Sequence, residues 1–255
     1  MKKETHLLSI VTVSFNSDAT IKETIKSVLN QTNTNFEYIL VDGNSTDKTV
    51  EIIKSFENQF IEKGISYKWI SEKDSGIYNA FNKGIVKATG KWISFLGSDD
   101  IYINEAIEIY MNTILNLKHE VDFVYSNIIK NQKIIVSQLW KWNRFKRKMT
   151  IAHVGGFHHK NYFKTYGFFN ESYKIAGDYE LLLRARGHLK TLKIDSSIVV
   201  MGEDGVSSSQ IKNVYKETTR AKIETGKVSF SLSKFDFFVW TLKYRIKKGF
   251  YALVR

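Results

Sequence analysis

The sequence predicts an α/β fold in which a Rossmann-like, mostly parallel sheet is covered by helices on both faces. Three observations carry that prediction. Across the first hundred residues, short β-rich apolar runs alternate four times with longer helical patterns. Four βα units in succession need crossovers, and crossovers place helices over a parallel sheet. The 255 residues are 43% apolar and 14% aromatic, enough to bury one sizeable core with a small C-terminal appendage.

Taken in order, Leu7–Ser14 (LLSIVTVS) has the unbroken apolar character of a buried strand. Asp18 is placed to cap a helix running to about Asn30, with Ile21, Ile25, Val28 and Leu29 on one face. Phe36–Val41 is the second strand, and Asp42-Gly-Asn-Ser-Thr turns the chain into a helix near Asp47–Phe60. Ile65–Ile70 is the third strand and Gly76–Ala88 the helix after it. Trp92–Leu96 is the fourth strand, ending at Gly97-Ser-Asp-Asp, with a helix from about Asn104 to Leu117. From Val121 the pattern is mixed: Val121–Ile129 and Lys133–Leu139 form a hairpin across Lys130-Asn-Gln, and a basic run and a His- and Gly-rich loop follow. Ala176–Arg186 is a short helix and Ile194–Met201 a strand.

Residues 226–255 stand apart. On a helical wheel Phe235, Phe238, Val239, Leu242, Ile246, Phe250 and Leu253 share one side, Arg245, Lys247 and Lys248 lie elsewhere, and Trp240, Tyr244 and Tyr251 flank the stripe. This is the pattern of a basic amphipathic helix lying in a membrane interface; a helix packed on the core with a solvated basic face fits it too.

The formal charge of +12 is concentrated. Residues 141–148 (KWNRFKRK) carry five positive charges and no negative one, and residues 226–255 carry seven positive against Asp236, which leaves +1 for the remainder. Two cationic patches on a near-neutral body point to a phosphate-bearing partner. The absence of cysteine excludes disulfides, thiolate metal sites and a cysteine nucleophile. Residues 1–9 are too polar for a signal peptide, and no run reaches the roughly 18 apolar residues of a spanning helix. The expected location is cytoplasmic, soluble or peripheral on the membrane.

Polar residues gather where the four strands end: Phe15 and Asn16, then Asp42, then Glu72 and Asp74, then Asp99 and Asp100. Any one of these acids can be a turn former, but all of them share the carboxyl edge where ligands of parallel sheets bind. The adjacent pair Asp99-Asp100 repels itself unless a cation sits beside it, and hard oxygen ligands suit Mg²⁺ or Mn²⁺. Such an ion stabilises charge on a diphosphate leaving group. Asp178 opens the helix at Ala176–Arg186 and is either its cap or a general base.

In their order, VTVSFN, LVDGNSTDKT, EKDSGIYNAFNKGIVKATGKWISFLGSDD and AGDYELLLR resemble the motifs of family 2 glycosyltransferases over roughly residues 7–205. The stretch from Glu72 to Asp100 is similar to the branch that builds bacterial O-antigens (lipopolysaccharide), capsules and exopolysaccharides. That resemblance implies a GT-A fold and an inverting transfer of a hexose or N-acetylhexosamine from a nucleotide-diphosphate sugar, UDP preferred. It places a nucleotide-binding half at 1–118 and an acceptor-binding half at 119–225. It implies a donor site of Val13, Phe15, Asn16, Asp42, Asp74, Asn82, Ser98 and Asp99, with Asp42 at the nucleobase. Asp100, with Asp99, matches the metal position and Asp178 the base, while His153 and Tyr179 match positions lining the acceptor site. Glu203-Asp204-Gly205 is either a turn or, by family position, a loop near the acceptor.

Two departures qualify the likeness. Ser98-Asp99-Asp100 lacks one acid of the usual Asp-x-Asp-Asp motif, and Gly177 replaces the first acid of the Glu-Asp base motif. No Gln-x-x-Arg-Trp motif follows, so the transfer is non-processive. The implied partners are the nucleotide sugar, a lipid-linked or glycan acceptor and the anionic inner-membrane surface, with no nucleic acid. A dinucleotide-dependent oxidoreductase is excluded because the first glycine of the chain is Gly43, whereas its fingerprint needs glycines after the first strand. A non-catalytic module binding anionic membrane or nucleic acid is the competing class; it accounts for the basic patches but not for the acidic rim.

Overall fold

The computed structural model describes residues 6–202 and 210–253. Glu203, Asp204 and Gly205 lie outside the described residues, as do the side chains of Trp240, Tyr244, Arg245, Ile246, Lys247, Lys248, Phe250, Tyr251 and Leu253. The sheet is built from strands that are apolar on both sides. In β1 (Leu8–Ser14) Leu8 and Ile10 enter one apolar layer, and Val11 and Val13 the other. β2 (Glu37–Asp42) divides Tyr38 and Leu40 from Ile39 and Val41 in the same way. β4 (Trp92–Gly97) divides Trp92 and Leu96 from Ile93 and Phe95. Strands of this kind are stable only between two layers of helices. With β3 (Ser66–Ser71) at the edge they pair in the order β3-β2-β1-β4, parallel throughout.

One layer is closed by α1 (Ile21–Leu29), α2 (Thr49–Ser55), α3 (Glu57–Glu62) and α5 (Ala106–Leu115). The other is closed by α4 (Ile77–Lys87), α7 (Lys160–Tyr166) and α8 (Gly177–Arg184). α4 sits tight on the sheet because Gly84 faces Val11, where a Cβ would overlap the valine side chain. Two local expectations are corrected. Asp18 does not cap α1; its N–H donates to Asp47 (3.1 Å), and Asp47 accepts from Thr49 N–H (3.0 Å) at the start of α2. The helix expected at Asp47–Phe60 is two helices, divided at Phe56.

The second half turns the sheet mixed. β5 (Ile101–Tyr102), β6 (Phe123–Lys130), β8 (Phe157–His159) and β9 (Thr191–Val200) extend it as β4-β8-β6-β9-β5. β8 runs antiparallel to both β4 and β6, β6 and β9 are parallel, and β5 is antiparallel to β9. The expected hairpin is present but short, with β7 (Lys133–Ile135) paired to β6 through Asn131 and Gln132 at φ 50° and 58°. The His- and Gly-rich segment is not wholly a loop, since it contains β8.

After β7 the basic run forms α6 (Trp142–Phe145). The chain closes with α9 (Ile211–Glu224) and α10 (Phe230–Leu253). Ala221 of α9 is buried in the second apolar layer, and the rings of Tyr215 and Phe237 meet at 5.0 Å. The start of α10 therefore has two characters. Ser233 and Asp236 face the body, whereas Phe235, Phe238 and Leu242 are about half exposed or more. No described helix is long and apolar enough to cross a membrane.

At the amino edge of the sheet Glu37 is fully buried and binds four segments together. Its carboxylate accepts from Ser9 Oγ (2.6 Å), Thr89 N–H and Oγ1 (2.5 and 2.9 Å), Gly90 N–H (3.0 Å) and Lys68 Nζ (3.0 Å). Burial alone would raise its pKa, but these donors outweigh burial and hold it below the usual carboxylate value. Glu37→Ala is expected to cost about 3 kcal/mol or more in urea unfolding, because it takes the acceptor from the Thr89 N–H and the buried Ser9 hydroxyl and the counter-charge from Lys68. A depressed carboxyl contributes stability that is present at neutral pH and lost as pH falls through its folded value. The gap between wild type and variant should therefore narrow below about pH 4.

Candidate active site

The carboxyl ends of the four parallel strands form one rim whose loops are tied to each other. Asp42 at the end of β2 is fully buried. One of its oxygens accepts from Ser14 Oγ (3.0 Å) and Ser45 Oγ (2.5 Å), the other from Ser45 N–H (2.9 Å) and Ser71 Oγ (2.7 Å). Four donors fill the four lone-pair positions of the carboxylate. Asp42 thus fixes the ends of β1, β2 and β3, and a ligand could reach its oxygens only by displacing a serine.

Around it, Asn16 adopts a left-handed conformation (φ 48°), donates its N–H to Ser45 Oγ (2.8 Å) and accepts from Thr46 N–H (2.9 Å). Ser17 Oγ meets Ser98 Oγ at 3.0 Å, which joins the β1 loop to the β4 loop. Val13 lies buried beneath the rim, while Phe15 stands 62% exposed above it. Phe15 and Asp74 both press on Gly43: a Cβ there would lie 2.5 Å from Asp74 Oδ2 and 3.4 Å from the Phe15 ring. Phe15 is the open aromatic platform of this edge, and Gly43 is what lets Asp74 close against it.

Asp100 is 7% exposed and accepts from Gly97 N–H (2.9 Å) and Gly202 N–H (3.0 Å). Burial first, and the charge of Asp99 second, push its carboxyl up to about 6. Asp99 is partly open and accepts no hydrogen bond among the described residues. It packs against Gly202, where a Cβ would overlap its carboxylate. An unsatisfied carboxylate beside one whose ionisation it opposes is the donor set that a hard divalent cation relieves, so these residues fit Mg²⁺ or Mn²⁺. No third acidic or histidine group joins them among the described residues.

Asp178 lies in the first turn of α8, enclosed by protein with part of its surface open. Burial is the main cause that raises its pKa to about 6; the charge of Glu217 adds to it, and the Tyr179 N–H, donating at 2.7 Å, opposes it. Glu217 on α9 holds the preceding loop by accepting from the N–H groups of Lys174 (2.9 Å), Ile175 (2.8 Å) and Ala176 (2.9 Å). Tyr78 on α4 completes the mount, accepting from Gly177 N–H (2.8 Å) and donating to Ile175 O (2.7 Å). Lys174 Nζ reaches the carbonyl of Ser75 (2.5 Å), the residue before Gly76, whose N–H Asp74 accepts (2.8 Å). The Asp178 loop and the Asp74 loop are thereby one assembly.

Three anticipated site residues spend their polar groups on the protein itself. Asn82 spends its amide on Phe169 N–H and O (2.9 and 3.0 Å) and on Glu171 (2.9 Å), and so braces the loop before α8. Tyr179 is 1% exposed and donates to Phe145 O (2.9 Å). His153 is 7% exposed, stacked on Phe95 and Phe123, with its Nε2 2.9 Å from His158 Nε2. Burial lowers the His153 pKa to about 4, so it is a neutral core ring at physiological pH. The sequence reading did not single out Glu217, Tyr78 or Lys174. Tyr78 sits inside the recognised GIYNAFNKG motif and was findable there; Glu217 sits in a segment without any motif.

Comparison with known proteins identifies the family and the fold. A family model described as Glycosyl transferase family 2 matches residues 9–175. A PGL/p-HBAD biosynthesis glycosyltransferase of Mycobacterium tuberculosis is 29% identical, covering 70% of this chain and 69% of that protein. The Escherichia coli protein named UDP-Glc:alpha-D-GlcNAc-diphosphoundecaprenol beta-1,3-glucosyltransferase WfgD is 34% identical, covering 51% of this chain and 49% of that one. In fold, the chain is similar to the mannosyltransferase PcManGT of Pyrobaculum calidifontis, solved with GDP-Man and Mn²⁺. The TM-score is 0.67 at 15% identity, over 89% of this chain and 66% of that chain.

Proposed function

Since this chain belongs to glycosyl transferase family 2 and has a GT-A fold, we propose that it is an inverting, non-processive hexosyltransferase of bacterial surface-glycan synthesis. It moves a hexose or N-acetylhexosamine from a nucleotide-diphosphate sugar to a lipid-linked or polysaccharide acceptor. UDP is the preferred carrier, as in the name of the WfgD relative, which also carries a diphosphoundecaprenol acceptor. The observation that carries this reading is the mounting of Asp178 and the donor-side loops as one assembly at the rim that also holds Asp99 and Asp100.

In this reading Phe15, Asn16, Asp74 and Ser98 line the donor site, and Asp42 and Asn82 hold its loops in shape. Asp100, with Asp99, holds Mn²⁺ or Mg²⁺, and that ion when bound supplies stabilisation of negative charge growing on the departing diphosphate. Asp178 accepts the proton of the acceptor hydroxyl as the oxygen attacks the anomeric carbon opposite the leaving group. The exposed apolar face of α10 and the basic run at 141–148 hold the enzyme peripherally on the inner face of the membrane. No nucleic acid is a partner. A panel of sugar nucleotides tests the reading: one donor should release nucleoside diphosphate and give a product of inverted anomeric configuration by NMR, and retention would contradict it.

The state of Asp178 sets a pH dependence. Its carboxyl, raised to about 6, must be ionised to accept a proton, so turnover should fall as pH drops through 6. At one unit below that midpoint about a tenth of the activity should remain. The pH profile of kcat at saturating donor and acceptor measures this; a flat profile from 5 to 8 would remove Asp178 as the base.

A further inference from the structure

A cavity of about 640 Å³ opens between the basic run, α9 and the start of α10, and its lining includes Tyr179, the residue after Asp178. Its walls have two natures. Met149, Phe235, Phe237 and Val239 make one part apolar, while Arg144, Arg147, Lys148 and Lys222 make the other cationic. The lining acid is Asp236, which accepts from Arg147 Nε (3.0 Å) and Nη2 (2.5 Å) and from Lys222 Nζ (3.4 Å). Four cations thus stand against one carboxylate, and Arg144 and Lys148 have no acidic partner among the described residues. The size is that of a small-molecule site.

An apolar wall facing unneutralised cations suits a ligand that carries phosphate on a hydrocarbon chain. Inorganic phosphate would leave the apolar wall wet, and a neutral chain would leave the cations uncompensated. We propose that this groove holds the phosphate-bearing end of a lipid, with phosphate on Arg144 and Lys148 and the first segment of chain along Phe235 and Phe237. The inference rests on the transferase reading for one point, that this lipid is the acceptor, held beside the helix that opens at Asp178. The outer face of the same helix, with Phe238 and Leu242 exposed, gives the chain a path back to the bilayer.

The test is calorimetric titration of the full chain with decyl phosphate below its micelle-forming concentration, beside decanol and inorganic phosphate. Decyl phosphate should bind saturably at one site, at least tenfold more tightly than either control. The double variant Arg144→Glu, Lys148→Glu should weaken it at least tenfold. Both positions are exposed, so the variant's melting temperature should match wild type and separate lost binding from lost folding. Equal affinity for inorganic phosphate, or binding that the double variant retains, would overturn the proposal. So would charge-sensitive binding to phosphatidylglycerol vesicles without binding of monomeric decyl phosphate, which would make the basic run a headgroup contact. Donor hydrolysis by the wild type is scored separately. Hydrolysis without decyl phosphate binding removes the groove and keeps the transferase; binding without hydrolysis keeps the groove as a lipid-phosphate site and removes the transferase reading.

Discussion

Asp178→Asn is expected to lower turnover about 10³-fold while leaving donor affinity within about threefold of wild type. The amide keeps the shape of the carboxylate and can still accept the Tyr179 N–H, so the first turn of α8 and the loop held by Glu217 should stay in place. What it loses is the capacity to take a proton. Stability should move the other way. A carboxyl raised from 3.8 to about 6 disfavours the folded state once it ionises, so its penalty is absent at low pH and complete above 6. That penalty is up to about 3 kcal/mol, and the asparagine variant should melt higher than wild type at pH 8 but alike at pH 4. Turnover measured with calorimetric donor binding decides the role. If donor affinity falls in parallel with rate, Asp178 is a donor ligand or a structural cap.

The two edges of one sheet show how function can be told from structure in carboxylates. Glu37 and Asp100 are both buried, yet they are driven in opposite directions. At the amino edge five donors surround Glu37 and hold it below the ordinary value; it is a bracket for four segments. At the carboxyl edge Asp100 has two amides and an adjacent negative charge, and stands above the ordinary value. The difference is one of supply: the fold surrounds Glu37 with donors and leaves incomplete the acids to which the proposed function gives a ligand.

The first four βα units were legible because three of their strands are apolar on both faces, the remaining one, β3, carries Tyr67, Trp69 and Ile70, and helices with one apolar side separate them. The order β3-β2-β1-β4 then puts Phe15, Asp42, Asp74 and Asp99 on a common edge without further information. β8 was not legible, because three residues carry no period; its presence follows from the pairing of Phe157 and His158 with β4 and β6. α9 was not legible either, since it is largely polar and its packing depends on Ala221 meeting the second apolar layer. Motif position picked out Asn82, His153 and Tyr179 along the chain but could not give their direction. Asn82 turns to the backbone at Phe169, His153 to the rings of Phe95 and Phe123, and Tyr179 to the carbonyl of Phe145. Direction is set by neighbours distant in sequence, which no local pattern contains.

Asp100→Asn is expected to remove the part of donor binding that depends on divalent metal. In wild type, affinity for the cognate nucleoside diphosphate should rise on adding Mn²⁺ by about 10²-fold or more, the scale of a hard ion shared by a carboxylate and a diphosphate. In the variant it should stay near the value wild type shows in EDTA. Asparagine is the informative replacement because Asp100 also accepts from Gly97 and Gly202, and alanine would strand both amides. An amide oxygen preserves one of those bonds but carries no charge to balance a cation. The variant also removes the buried charge and its repulsion with Asp99, the two causes that raise the Asp100 carboxyl, so its melting temperature without metal should not fall. Calorimetry with Mn²⁺ and with EDTA, alongside thermal unfolding, separates the two contributions. If the variant keeps a metal-dependent gain equal to wild type, Asp100 is not the ligand, and its burial would have to be explained by its bonds to the Gly97 and Gly202 amides alone.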